Sequence, residues 1–269
     1  MSNPLSKNFK RRRLLTLALL TLGLAAASVA GALPFETVYG AMGQVDRANR
    51  GVTPVTGCQG GGSIAVGTRG SFPNSLVYVA RTDDWGNRLW ERLYDIRPVN
   101  GDGRYGDTGE SIVEVHDGTG FVIAGQTRDA EASLDAFLLK VDCEGLLSWV
   151  RIYHSPFDEG ALDLVEATTG DPDFGTRRGD LIVAGFGIFP GTNLRNALLF
   201  RTSSTGTLIW GRRYTIFDEV RSAFRSVIET SPSGGTTTGD IVAAGRIVMG
   251  GPEQGYVVRV SGNTGTEAG

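Results

Sequence analysis

The sequence predicts an all-β fold, and three observations predict it. The chain repeats with a period of about 60 residues, the mark of stacked copies of one supersecondary unit. A small-residue strand ends at Gly67, Gly125, Gly185 and Gly245, and a turn glycine follows at Gly86, Gly145 and Gly206. Then come Trp90, Trp149 and Trp210, each followed by a tyrosine: Tyr94, Tyr153 and Tyr214. Each unit breaks into short strand-forming runs between Gly, Asp and Ser turns, and no helical period follows residue 32.

Four strands account for a unit. Strand a runs Ser63 to Gly67, Phe121 to Gly125, Leu181 to Gly185 and Ile241 to Gly245. These continuous apolar runs end in a small residue, so both faces are expected to be buried and another chain segment to approach closely. Strand b runs Val77 to Arg81, Phe137 to Val141, Leu198 to Thr202 and Tyr256 to Val260. The b–c turns start at Asp83, Asp142 and Ser203 and carry glycine at their fourth position. That is type I turn chemistry, with a side-chain oxygen to accept a backbone N–H and glycine for a left-handed residue. Strand c runs Trp90 to Tyr94, Trp149 to Tyr153 and Trp210 to Tyr214; strand d runs Ser111 to Val115, Asp163 to Ala167 and Ser226 to Thr230.

Four strands per unit, repeated radially, is the β-propeller plan. The ends are in complementary phase. Strands a and b of the last unit have no c or d after them, whereas Phe35 and Tyr39 keep the Trp-to-Tyr spacing and residues 53–56 follow as a strand d. The expectation is therefore four blades of four antiparallel strands, one blade being composite from both termini. Trp90, Trp149, Trp210 and Phe35 are expected to fill the wedge between blades. A second arrangement, a half-ring that pairs with another copy to reach eight blades, stays open.

The spacing D-x-x-G-x-x-x-W occurs at Asp83, Gly86 and Trp90 and again at Asp142, Gly145 and Trp149, with Ser203 replacing the aspartate before Gly206 and Trp210. It resembles the tryptophan-docking repeat of quinoprotein-like bacterial β-propellers. The whole unit, over roughly residues 35–265, resembles the longer repeats of exported bacterial propeller proteins. The resemblance implies an architecture and leaves activity open. The related quinone enzymes have about eight blades and often adjacent cysteines; this chain has half the repeats and no such pair, so no quinone cofactor is expected.

Residues 1–32 read as a secretory signal. Lys7, Lys10, Arg11, Arg12 and Arg13 precede an apolar run from Leu14 to Ala30 and the small-residue site Ala30-Gly31-Ala32. The basic run fits Sec or twin-arginine export, to the periplasm or the medium, with no membrane span after cleavage. The propeller domain is then 33–269. The signal holds five of the 26 Lys+Arg and none of the 29 Asp+Glu, so the remainder carries −8. That acidity argues against nucleic acid as a partner. Cys58 and Cys143 would sit in an oxidising compartment. They fall in a d–a connection and a b–c turn, which leave a propeller on the same rim, so a disulfide is expected.

The recurring charges have a structural and a functional reading. Arg81, Lys140, Arg201 and Arg259 share one place on strand b. Strands c and d are expected to be antiparallel neighbours, so Arg92 with Glu114, Arg151 with Glu166 and Arg212 with Glu229 are the expected cross-strand pairs. A ring of bases for an anion is the functional alternative. Asp46, Asp107, Asp158 and Asp218 recur in the c–d connections and would lie on one rim, where Ca²⁺ is the one metal they suggest. Solvated turn aspartates are the simpler account. Asn100-Gly101-Asp102-Gly103-Arg104 fails as a calcium loop at Arg104 and Tyr105. His116 and His154 have no partner in the sequence, and Ser63 lacks the final glycine of a nucleophile elbow. No catalytic residue and no cofactor emerge. The chain is expected to be a monomeric binding or interaction module with an unnamed protein or glycan ligand, elaborated on the connections Pro98 to Gly109 and Gly170 to Gly179. A carbohydrate hydrolase with its site on a rim is the alternative.

Overall fold

The computed structural model describes residues 45–267 except 98–105, 129–132, 156, 189–193, 215–219 and 233–237. The signal segment, Phe35, Tyr39 and Asp218 lie outside the described residues, as does most of the Pro98–Gly109 connection. Fifteen strands form four antiparallel sheets, and one short 3₁₀ turn (Pro172–Phe174) is the helical structure present among these residues. The first sheet holds β1 (Asp46–Pro54), β2 (Ser63–Arg69), β3 (Leu76–Thr82) and β4 (Arg88–Tyr94). The second holds β5 (Asp107–Glu114), β6 (Phe121–Arg128), β7 (Leu134–Val141) and β8 (Leu147–Tyr153). The third holds β9 (Glu159–Glu166), β10 (Leu181–Ile188), β11 (Arg195–Thr202) and β12 (Leu208–Tyr214). The fourth has three strands, β13 (Arg221–Glu229), β14 (Ile241–Val248) and β15 (Glu253–Val260).

Strand d corrects the sequence reading. It pairs with the strand a that follows it, as in β5 with β6, and shares no sheet with the strand c before it. The order in each full sheet is therefore d-a-b-c. Among the described residues the fourth sheet has its own d, a and b from the C-terminal repeat and no strand c, while Thr53 and Pro54, expected to be its strand d, lie in β1 of the first sheet. The pairs Arg92–Glu114, Arg151–Glu166 and Arg212–Glu229 do not form, because their strands belong to different sheets.

The core lies between sheets. Ile64, Val66, Val77 and Val79 pack on Ile112, Phe121, Ile123, Phe137 and Leu139 of the next sheet. The pattern recurs with Val122 and Leu138 against Leu181 and Val183, then Ile182 and Leu199 against Ile241 and Val258. Central strands are thus buried on both faces; β7 has no exposed position. Strand d leads each contact: β5 packs on β1 to β3, β9 on β5 to β7, and β13 on β9 to β11. Among the described residues β1 has no comparable packing on the fourth sheet. Val257 is correspondingly 65% exposed, whereas Leu138 and Leu199 at the same repeat position are fully buried.

The small residue ending strand a is explained by strand d. A Cβ on Gly185 would lie 1.8 Å from the Gly160 carbonyl, and one on Gly125 would lie 2.0 Å from that of Thr108. Each of these strands d slips by one residue beside that glycine, leaving Glu110, Leu162 and Arg225 as bulge residues. A bulge re-aims the extra side chain out of the ladder.

Candidate functional site

The two rims differ in what they leave available. One rim carries the d–a connections and the b–c turns, and its repeated tyrosines and glutamates bond to a neighbouring sheet. Cys58 and Cys143 form a disulfide there, with Sγ–Sγ 1.96 Å and Cα–Cα 5.5 Å. Trp90 and Trp149 lie half-buried against the next sheet's turn glycines, Gly145 and Gly206, and Trp210 lies against Gly265. Trp90 Nε1 donates to the Cys143 carbonyl at 2.9 Å. The tyrosines follow: Tyr94 donates to Gly145 O and Tyr153 to Gly206 O, both at 2.8 Å, and Tyr214 donates to Gly265 O. The turn glycine thus has two causes. Its φ is positive, 78° at Gly145, and a side chain there would strike the incoming tryptophan ring.

The repeated glutamates staple the same rim. Glu114 accepts N–H bonds from Thr56, Gly57 and Cys58 of the preceding sheet at 2.7 to 2.9 Å. Burial raises its pKa, but those bonds outweigh burial and hold the carboxyl below its ordinary value. Glu166 accepts from His116 N at 2.7 Å and lies 2.8 Å from its Nδ1. Glu229 takes Thr168 N and Oγ1, both at 2.6 Å.

The strand b bases are used up in the same way. Arg201, fully buried, donates to Asp180 and to the carbonyls of Gly262, Thr169 and Arg177 at 2.9 to 3.0 Å. Arg81 donates to Cys143 O and Gln59 O, and Lys140 to Thr119 Oγ1. Arg259 lies 2.7 Å from Asp240. These bases make no shared anion ring. The Gly170–Gly179 connection also sits on this rim, where Thr176 Oγ1 donates to Asn263 Oδ1 at 2.7 Å.

The opposite rim holds the starts of strands d and b and the ends of strands a. A cavity of about 690 Å³ opens there, across the second, third and fourth sheets. All three bulge residues, Glu110, Leu162 and Arg225, line it. Leu162, Phe186 and Ala223 are a buried apolar cluster at its base. Arg195, Arg221, Arg246, Asp158 and Glu253 line it as well. Arg195 lies over the Phe186 ring at 4.4 Å and 3.6 Å from Asp158. Arg246 pairs with Glu253, and Gln126 Nε2 donates to Glu110 at 3.3 Å. The volume is that of a small-molecule site.

The expected carboxylate set is dispersed among different tasks. Asp46 pairs with Arg69 at 2.8 Å. Asp107 is buried and accepts from Ile96 N; burial lifts its carboxyl to about 6. Asp158 lines the cavity and accepts from Leu134 N at 3.1 Å. No cluster of three or more His, Cys, Asp or Glu suited to a metal occurs among the described residues. Two groups near the cavity escaped sequence reasoning. His154 Nδ1 lies 3.1 Å from Asp135, and Glu159, bonded to Ser155, is lifted to about 7 by burial, with Asp135 and Asp158 adding to the effect. Neither pairing has a repeat-position signal, since both depend on which loop ends meet.

No helix among the described residues is long and apolar enough to cross a membrane. No protein-family model matches this chain, and no curated protein matches it significantly.

Proposed function

We propose that the chain is an exported propeller-type binding module, four blades to the chain, whose ligand is a glycan held in the bulge-lined cavity. The carrying observation is the division of labour between rims. One rim ties sheet to sheet through its repeated tyrosines and glutamates, while the other gathers guanidinium and carboxylate heads around an apolar base. A concave site of this size suits a small saccharide better than a protein face, which needs about 800 Å² from each partner. The signal-like segment and the disulfide support an extracytoplasmic location. A glycan array should retain the protein, and Val248→Trp, which fills the cavity mouth from a partly exposed strand end, should abolish retention without lowering Tm. Retention of neither protein, or equal retention of both, would refute the reading.

The hydrolase reading draws on one observation, the carboxyl of Glu159. Its pKa of about 7 suits a general acid, and it adjoins the cavity residue Asp158. New reducing ends released from the retained glycan, and lost in Glu159→Gln, would favour that reading over simple binding.

Phe35 to Tyr39 is proposed as the strand c that the fourth sheet lacks. Three repeats of the Trp–Tyr docking contact support it, as does Gly86, which has the same positive φ of 81° at the turn the segment would dock on. Tyr39→Phe should then lower stability by about 1 kcal/mol and Phe35→Ala by about 3 kcal/mol. Unchanged unfolding midpoints in both variants would remove this strand from the fold.

A further inference from the structure

We infer that the cavity selects an acidic saccharide, one carrying a carboxylate on a sugar ring. The inference rests on the glycan-binding role proposed for the same cavity. The fourth sheet supplies Arg221, Arg225, Arg246 and Glu253 to the lining, the second and third sheets supply Glu110, Gln126 and Arg195, and Asp158 comes from the residue before β9. Four guanidinium groups thus meet three carboxylates around one cavity. The guanidinium groups are not the by-product of a basic surface, because the chain beyond residue 32 carries −8.

The arginines are not equivalent. Arg246 is held by Glu253, and Arg195 by Phe186 and Asp158. Arg221 is exposed at the first position of β13, with no hydrogen-bond or ion-pair partner among the described residues. Its fork matches a carboxylate with two parallel N–H bonds. Glu110 accepts from Gln126 and Asp158 from Leu134 N, and a carboxylate takes more than one donor, which sugar hydroxyls are.

The same lining rejects the neighbouring classes. A polyphosphate would satisfy Arg221 but bring negative charge against Glu110, Asp158 and Glu253. A neutral sugar would bond the carboxylates and leave Arg221 partly desolvated without a partner. A ligand with one carboxylate and several hydroxyls suits Arg221 and the carboxylates alike and rests its apolar ring face on Leu162 and Ala223.

Calorimetric titration with an aldobiouronic acid, a disaccharide with one carboxylate, and with its methyl ester tests this, since the ester keeps the shape and the hydroxyls and removes the charge. The acid should bind at least about ten-fold tighter than the ester. Arg221→Gln should erase that preference, and Arg259→Gln on the opposite rim should leave it intact. Arg221 is exposed, so its variant should unfold at the unaltered temperature. Equal binding of acid and ester, both abolished by Val248→Trp, would overturn acid selectivity while the glycan-binding reading stands. A preference that survives Arg221→Gln would overturn the assignment of that residue. Displacement of the aldobiouronic acid by equimolar inorganic phosphate would assign a bare anion site and overturn the saccharide. No binding of either sugar would also overturn the inference.

Discussion

Replacing Cys58 and Cys143 together by serine is expected to lower the unfolding free energy by about 4 kcal/mol and Tm by about 8–16 °C. The bridge spans 85 residues of sequence and ties the first sheet to the second. In the chain-entropy model a loop of that size restricts the unfolded ensemble by about 4–5 kcal/mol at room temperature. The folded side of the balance is well held. Cys58 N donates to Glu114, and Cys143 O accepts from both Trp90 and Arg81. Serines at both positions would keep those backbone bonds, so the loss should report the cross-link itself. Equilibrium urea unfolding of the variant, beside the native protein with and without reductant, measures it. A loss below about 1 kcal/mol would mean that the seam between these sheets holds the unfolded chain's ends together as well as the bridge does.

Arg201→Ala is expected to cost about 3–5 kcal/mol, and Arg259→Ala less than about 1 kcal/mol, although the two arginines share one repeat position. Arg201 is fully buried beside Asp180, itself 3% exposed, and donates to three carbonyls, two from the connection between β9 and β10 and one from the last turn. Truncation would leave a buried carboxylate and three acceptors without their donor. Arg259 meets Asp240 with 56% of its side chain exposed, where solvent screens the pair and supplies the lost partners. Arg201→Lys should fall between, because an ammonium keeps the charge but cannot span four acceptors in the guanidinium plane. Parallel denaturant titrations of the three variants decide the matter. If Arg201→Ala and Arg259→Ala came within 1 kcal/mol of each other, burial would not be what separates them.

What the sequence determined by itself is the part that depends on near neighbours in the chain. Strand runs, the Asp83, Asp142 and Ser203 turns and the common repeat phase all follow from spacing and turn chemistry over a few residues, and the structure has these elements in that order. The glycine ending strand a was legible as a close approach, though not as an approach by strand d. Only the tertiary structure decided which sheet strand d joins. Strand d stands between two strands in sequence, and its side-chain alternation suits either partner; the choice follows from packing each d against the sheet before it. That choice turned the repeated glutamates from partners of arginine into staples for the preceding sheet's backbone. It also hid the cavity. A bulge adds one residue without changing composition, so nothing in the sequence marks Glu110, Leu162 and Arg225 as equivalent, and their convergence exists only once three sheets have been brought together. Arg201 and Arg259 differ for the same reason: the repeat sets their place on a strand, and what lies beyond each strand sets whether a charge meets protein or water.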